Sequence, residues 1–224
     1  MTNLSSIFLA GASRGVGREV AHCLVQQSLA VTALLRNEAT RPALEAMGIQ
    51  VVMGDALDPA AMAKAMAANP PQAVISTIGG LPKDGQRADY LGNKHLIDAA
   101  VQAGVQKFIL VSSIGSGNSA VALPPQALET LRSVLIEKEQ AENYLIASGL
   151  TYVVIRPGGL KSEPATGNGV LTPDPTVAGT IHRADVAQLV CQCLLSDQAN
   201  NRVLSAVDRT MTYGQTEFEI LSFA

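Results

Sequence analysis

The chain has 224 residues, 47% hydrophobic and 16% charged, with a formal net charge of −3. That length and apolar content suit one α/β domain with a sizeable core and no need of disulfides. The mildly acidic balance, with no basic patch, argues against nucleic acid as a partner, and 4% aromatics with no Trp leave no stacking surface for bases or glycans.

Cys23, Cys191 and Cys193 lie in helical patterns without CxxC spacing, which points to reduced core thiols and no metal site. No basic run opens the chain, and the apolar stretch 7–12 is too short for a signal or a membrane span. A cytoplasmic protein without a membrane partner is therefore expected.

In chain order, an apolar strand at 7–10 meets Gly11, Gly15 and Gly17. A helical pattern with Val16, Val20, Leu24 and Val25 on one side follows at once. Glycines let the backbone approach a phosphate closely, and first-turn N–H groups and the helix dipole face the anion. Gly11, Ser13, Arg14, Gly15, Val16 and Gly17 are the cofactor contacts expected there. A second strand, 30–35, ends in Arg36. A helix over 40–47 stops at Gly48, and a third strand covers 49–53. The turn Gly54-Asp55-Ala56-Leu57-Asp58-Pro59 leads into an Ala/Met-rich helix that ends near 69–71, with Met53, Met62 and Met66 as core fillers. A fourth strand, 73–77, is closed by Gly79-Gly80, and a polar loop, 82–87, leads to a helix over 88–103 capped by Gly104. A fifth strand, 107–111, ends in Ser112-Ser113. The loop 114–125, a long helix over 126–148 and a sixth strand, 151–155, come next, and the strand ends in Arg156-Pro157-Gly158-Gly159. Residues 160–180 are rich in Gly, Pro and Thr with little helical period. A helix over Arg183–Leu195, a strand at 202–206 and an apolar stretch at 218–223 complete the chain.

Strands that are continuous apolar runs alternate with helices, the signature of a parallel sheet covered on both faces. The expected architecture is a single-domain α/β doubly wound Rossmann fold, in which ligands sit beyond the carboxyl ends of the strands. Arg36, Asp55, Thr77, Ile78, Gly79, Ser112, Ser113 and the run Pro157, Gly158, Gly159 and Leu160 fall at those ends.

In the common NAD-binding unit an acidic residue about 20 positions past the glycines holds the ribose 2′-hydroxyl. Here Arg36 stands at that place, and no carboxylate is available at the strand tip. With Arg14 as a second cation, the pattern points to a 2′-phosphate and so to NADP(H); the alternative is a solvated strand-end arginine. Asn37 could add a hydrogen bond. Asp55 could accept from the adenine amino group with Ala56 and Leu57 beside the ring, or it could cap the helix at Pro59.

Several segments, in order, resemble the atypical branch of the short-chain dehydrogenases/reductases. Gly11-Ala-Ser-Arg-Gly-Val-Gly17 resembles the first turn, although the branch more often has glycine in place of Arg14. Gly54-Asp55 resembles the adenine-contact pair. The run 89–100, with Asp89-Tyr90 and Asn93, resembles the central helix. Residues 107–113 resemble the strand carrying the active-site serine, and Lys138, Ala141-Glu142 and Ser148-Gly149-Leu150 resemble the helix carrying the active-site lysine. Arg156-Pro157-Gly158 resembles the nicotinamide-side turn, and the run 182–187 a late helix start.

The family's general acid is a tyrosine four residues before the lysine, and here that position is Val134. Tyr144 lies six residues after Lys138 on another part of the helix. Alcohol/ketone and sugar-epimerase chemistry, which need that acid, are disfavoured. The resemblance implies Ser113 and Lys138 as the catalytic pair, with Lys138 also on the nicotinamide ribose. The bland alternatives are a serine capping its own loop and a surface lysine. The relatives without the tyrosine include the flavin reductase/biliverdin-IXβ reductase group. They imply an NADPH-dependent reductase of a planar conjugated small molecule: a flavin, a quinone or a linear tetrapyrrole. Residues 80–87, 114–125 and 160–180 would cover the substrate. A non-catalytic NADP(H)-binding regulatory or assembly protein is the alternative. His22 and His95 read as surface or satisfied polar residues, His182, Arg183 and Asp185 as a helix-start network holding the 160–180 cover, and the chain as a monomer.

Overall fold

The computed structural model describes residues 4–79 and 86–223. The elements run β1 (Ser6–Ala10), α1 (Gly15–Gln26), β2 (Ala30–Leu35), α2 (Arg41–Glu45), β3 (Gln50–Met53), α3 (Pro59–Ala68), β4 (Ala73–Ser76), α4 (Leu91–Gln102), β5 (Lys107–Val111), α5 (Pro125–Ala147), β6 (Thr151–Pro157), β7 (Gly159–Lys161), β8 (Gly169–Thr172), β9 (Thr180–His182), α6 (Arg183–Leu195) and β10 (Arg202–Asp208), with 3₁₀ turns at Glu38–Thr40 and Gly117–Ala122.

Eight strands form one sheet in the order β3-β2-β1-β4-β5-β6-β10-β8, and β7 pairs with β9 in a separate ribbon. Every pairing in the large sheet is parallel except β10 with β8. The strand order reverses between β1 and β4, so the crevice of this Rossmann fold opens at their carboxyl ends.

Because successive side chains in a strand point to opposite faces, each apolar run feeds two cores. Ile7, Leu9, Ile75, Ile109, Val153 and Ile155 pack with Val20 and Leu24 of α1 and Val186 and Val190 of α6. Phe8, Val74, Phe108, Leu110 and Val154 face the other way, onto Met62 and Met66 of α3, Leu96 and Ile97 of α4 and Leu145 of α5. The continuous hydrophobicity of these strands is thus the mark of burial on both faces.

Several elements differ from expectation. The helix expected over 40–47 is one 3₁₀ turn followed by five α-helical residues, with Pro42 in the first turn. The helix expected from 88 begins at Leu91, and β6 and β10 run two residues further, to Pro157 and Asp208. Met53 is 39% exposed on the edge strand, whereas Met62 and Met66 are fully buried. The 160–180 segment holds β7, β8 and the start of β9. The 218–223 stretch forms no strand; Leu221 and Phe223 pack on the α1/α6 core, and the Leu221 amide donates to Leu171 O of β8 at 2.8 Å. His22 is exposed, and His95 Nδ1 lies 2.9 Å from Ala56 O. Of the cover segments, residues 80–85 lie outside the described residues.

Candidate active site

The glycine turn follows from close packing. Gly11 has φ +98°, and a Cβ on it would overlap the Thr77 hydroxyl; a Cβ on Gly17 would overlap the Gly11 carbonyl. Only glycine lets β1, α1 and the end of β4 meet here. The Thr77 amide and hydroxyl both donate to Ala10 O, at 2.9 and 3.2 Å, so the Thr77 side chain belongs to this joint. Gly15 has φ +57° and opens α1 with Val16 and Gly17, whose N–H groups have no partner within the helix. They face the crevice between β1 and β4, the arrangement that binds an anion.

Arg14 and Arg36 are exposed beside this turn, as is Ser13. Asn37 turns inward to its own backbone and accepts from the Ala39 amide at 2.7 Å. Asp55 follows β3 and accepts from the Leu57 amide at 3.0 Å, while Ala56 is buried and Leu57 half-buried beside it. The α3 cap is Asp58, which accepts from the Ala60 and Ala61 amides. Asp55 is therefore not that helix's cap.

Past β4, Ile78 and Gly79 lead to a group of charges. A Cβ on Gly79 would lie 2.6 Å from Asp89 Oδ1 and 3.1 Å from Lys138 Nζ. Lys138 reaches from α5 across to Asp89, with Nζ 3.2 Å from Oδ1, and Arg87 Nε stands 3.6 Å from Oδ2. The Asp89 side chain is fully buried, and its oxygens accept no hydrogen bond among the described residues. Asp89 is a site residue that the sequence reading passed over. Lys138 is not a solvated surface lysine; it stands at the rim of the crevice with its side chain 16% exposed.

One helical turn further along α5, Glu142 is buried and takes a bidentate pair from Arg156, with Nη2 2.6 Å from Oε2 and Nε 3.2 Å from Oε1. Arg156 Nη1 also donates to Asn118 Oδ1 at 2.6 Å, and the Ser112 hydroxyl donates to Glu142 Oε1. This network ties the ends of β5 and β6 to α5 and the 114–125 loop. It turns the Ser112 side chain, expected on the cofactor, into the protein, and the Ser112 amide is likewise used by Ile155 O. The Ser113 hydroxyl donates to Ile114 O at 2.9 Å and so closes its own loop. Tyr144 is turned away from the crevice; its hydroxyl donates to Asp98 Oδ1 at 2.6 Å.

Beyond β6, a Cβ on Gly158 would overlap Gly179 O, so Pro157, Gly158 and Gly159 pass directly against the β9 segment. Leu160 is exposed. Tyr213, 63% exposed, holds its hydroxyl 3.9 Å from a Cβ placed on Gly159, and no sequence feature pointed to it. The cover is pinned at its middle. Asp185 accepts from the Thr166 and Gly167 amides, each at 2.9 Å, and Thr166 Oγ1 donates to Asp208 Oδ2 at 2.5 Å. His182 lies between Glu163, at 3.6 Å, and Asp185, at 3.8 Å. The expected helix-start network thus holds the 160–180 cover through Asp185.

A dinucleotide fits this crevice on structural grounds. The unpaired first-turn amides face it, glycine is required at 11 and 17, and at Gly79 the backbone passes directly under Asp89 and Lys138, where a Cβ would overlap the carboxylate. Among the described residues no helix is long and apolar enough to cross a membrane, and no cluster of His, Cys, Asp and Glu could hold a metal.

Comparison with known proteins agrees with this geometry. A family model described as NAD(P)H-binding matches residues 11–197. The solved structure of an anaerobilin reductase, ChuY of Escherichia coli O157:H7, is 34% identical, with 90% of this chain and 96% of that chain covered and a TM-score of 0.82. A Bacillus subtilis protein described as an uncharacterized sugar epimerase, YhfK, is 32% identical over 90% of this chain and 94% of its own. The sanguinarine reductase of Eschscholzia californica is 34% identical over 52% of this chain and 44% of its own.

Proposed function

The chain belongs to the NAD(P)H-binding family, within the atypical short-chain dehydrogenases/reductases, and from that premise we propose that it is an NADPH-dependent reductase of a planar conjugated small molecule, a flavin or a linear tetrapyrrole. One observation carries the reading: Lys138 stands at the crevice rim beside Gly79, while the position one turn before it on α5 is Val134. The site keeps a cation where a nicotinamide ribose would be held but has no phenol on that turn. Carbonyl reduction needs such an acid for the developing alkoxide. A conjugated acceptor spreads the incoming electron pair over its own π-system, and water can deliver the proton. The likeness to an anaerobilin reductase supports this reading.

A bound nicotinamide supplies the hydride. In this reading the amides of Gly15, Val16 and Gly17 hold the pyrophosphate, Arg14 and Arg36 hold the 2′-phosphate, and Asp55 faces the adenine amino group. Lys138 holds the nicotinamide ribose, with Asp89 fixing the ammonium. Gly79 and the Pro157–Leu160 segment line the nicotinamide, and Ser113, whose hydroxyl proton is given to Ile114 O, meets the acceptor only through its oxygen lone pairs. The test is NADPH oxidation followed at 340 nm against biliverdin isomers, flavins and quinones, with NADH alongside. Turnover of one acceptor with NADPH preferred supports the reading. Tight NADPH binding without turnover of any acceptor overturns it and returns a non-catalytic NADP(H)-binding protein.

A further inference from the structure

Arg183, the first residue of α6, stands 168 positions after Gly15 and yet lies over the glycine turn. A Cβ on Gly15 would be 3.7 Å from Arg183 Nε and 3.9 Å from its Cδ. At its other end the guanidinium is tethered to the segment after β6: Nη1 donates to Ser162 Oγ at 2.7 Å and to Leu160 O at 3.4 Å. No carboxylate among the described residues forms an ion pair with it. A cation is therefore held at the amino end of α1, where the helix dipole amounts to about half a positive charge and the first-turn N–H groups are unpaired. Like charges brought together in this way repel unless an anion lies between them.

We infer that Arg183 is the second jaw of the pyrophosphate site: the turn at Gly15 binds the anion from below and the Arg183 guanidinium from above. Because the same guanidinium holds Leu160 and Ser162, occupation of the phosphate site fixes the strand β7 that borders the nicotinamide side. Cofactor binding and closure of this part of the cover are then one event. The inference rests on the reading that the Gly15 turn holds a nicotinamide dinucleotide. It adds a residue that the glycine motif does not contain, and a coupling between the phosphate end and the substrate end of the site.

The experiment is equilibrium binding of NADPH, NADH and 2′-AMP to the full chain, with Arg183→Ala and Ser162→Ala as variants. Arg183→Ala is expected to weaken NADPH and NADH by the same factor, about 10- to 100-fold for a charge-assisted contact, and to leave 2′-AMP, which has no pyrophosphate, within about twofold. In hydrogen exchange, NADPH is expected to protect the 159–162 amides in the wild type and to lose that effect in both variants. Arg183→Gln, which keeps a donor for Ser162 and removes the charge, carries the same readout if the alanine variant does not fold. If the wild type binds neither dinucleotide, the cofactor reading itself fails. If the wild type binds both and Arg183→Gln binds them as tightly, or loses 2′-AMP in parallel, the role given to Arg183 is overturned while the cofactor reading stands.

Discussion

Lys138 Nζ ends 3.2 Å from Asp89 Oδ1, and the carboxylate it meets is fully buried with no hydrogen-bond donor on either oxygen among the described residues. A buried carboxylate is tolerated only with compensating charge, here Lys138 and Arg87. Asp89 is therefore a positioning group for the Lys138 ammonium at the crevice rim. Asp89→Asn is expected to destabilise the fold toward the lower end of the about 3–5 kcal/mol that breaking a buried pair costs, because Lys138 keeps some access to water. It is also expected to raise the KM for NADPH. Urea unfolding and a double-mutant cycle with Lys138→Met measure both effects. A coupling energy near zero would show that the two side chains are neighbours only.

Arg36 is exposed at the tip of β2 and makes no ion pair among the described residues, so its charge is available to a 2′-phosphate. Arg36→Glu is expected to weaken NADPH by about 10- to 100-fold and to leave NADH nearly unchanged. Fluorescence titration of the two nucleotides checks this, and an equal loss of both removes the 2′-phosphate role.

Val134 is half-buried on α5, one turn before Lys138, on the helix face that carries Glu142. Val134→Tyr restores a phenol at the spacing from lysine that carbonyl-reducing relatives use. A new activity on simple ketones, absent from the wild type, is the expected result. Folded Val134→Tyr protein with NADPH affinity intact and no ketone turnover would refute the register assigned to Lys138.

What could be read from the chain, and what could not, divides along physical lines. The parallel sheet was legible because runs such as 108–111 bury both faces and so are apolar throughout, and α5 and α6 were legible from their period. Strands β7, β8 and β9 were not, because three or four residues carry no period and β8 exists only through its antiparallel pairing with β10. The glycine turn was legible from spacing, and Lys138 only through the family resemblance. The partner of Lys138 was not, since Asp89 sits 49 residues earlier at the mouth of another helix, and no local pattern marks which carboxylate will be buried. Asp55 and Asp58 show the limit of cap reasoning, since two aspartates precede Pro59 and only the nearer one caps α3. Ser112 and Ser113 show another: adjacent in sequence, they point to Glu142 and to Ile114 O respectively, a division set by the pleat of β5 and the position of α5.

The cover over the substrate side should fail in acid, because its central anchor is a carboxylate. Burial pushes the Asp208 carboxyl upward, but hydrogen bonds from Thr166 and Thr210, together with the nearby His182, outweigh it, and the net displacement is below the usual aspartate range. A depressed folded value means that the native state binds fewer protons than the unfolded chain. The stabilisation is therefore fully present above the unfolded value of about 3.9 and is lost as pH falls through the lower folded value. Asp185, on the same Thr166 hydroxyl, and Glu163, beside His182, are the other acids facing this anchor. The melting temperature of the wild type is expected to drop steeply below about pH 4, with proteolysis near 162–168 rising over the same range. Asp208→Asn should start lower at pH 7 and fall less, since the group that titrates is gone. Melting curves recorded from pH 7 to pH 3 for both proteins decide the matter: parallel declines would mean that acid acts elsewhere and that Asp208 holds the cover by packing alone.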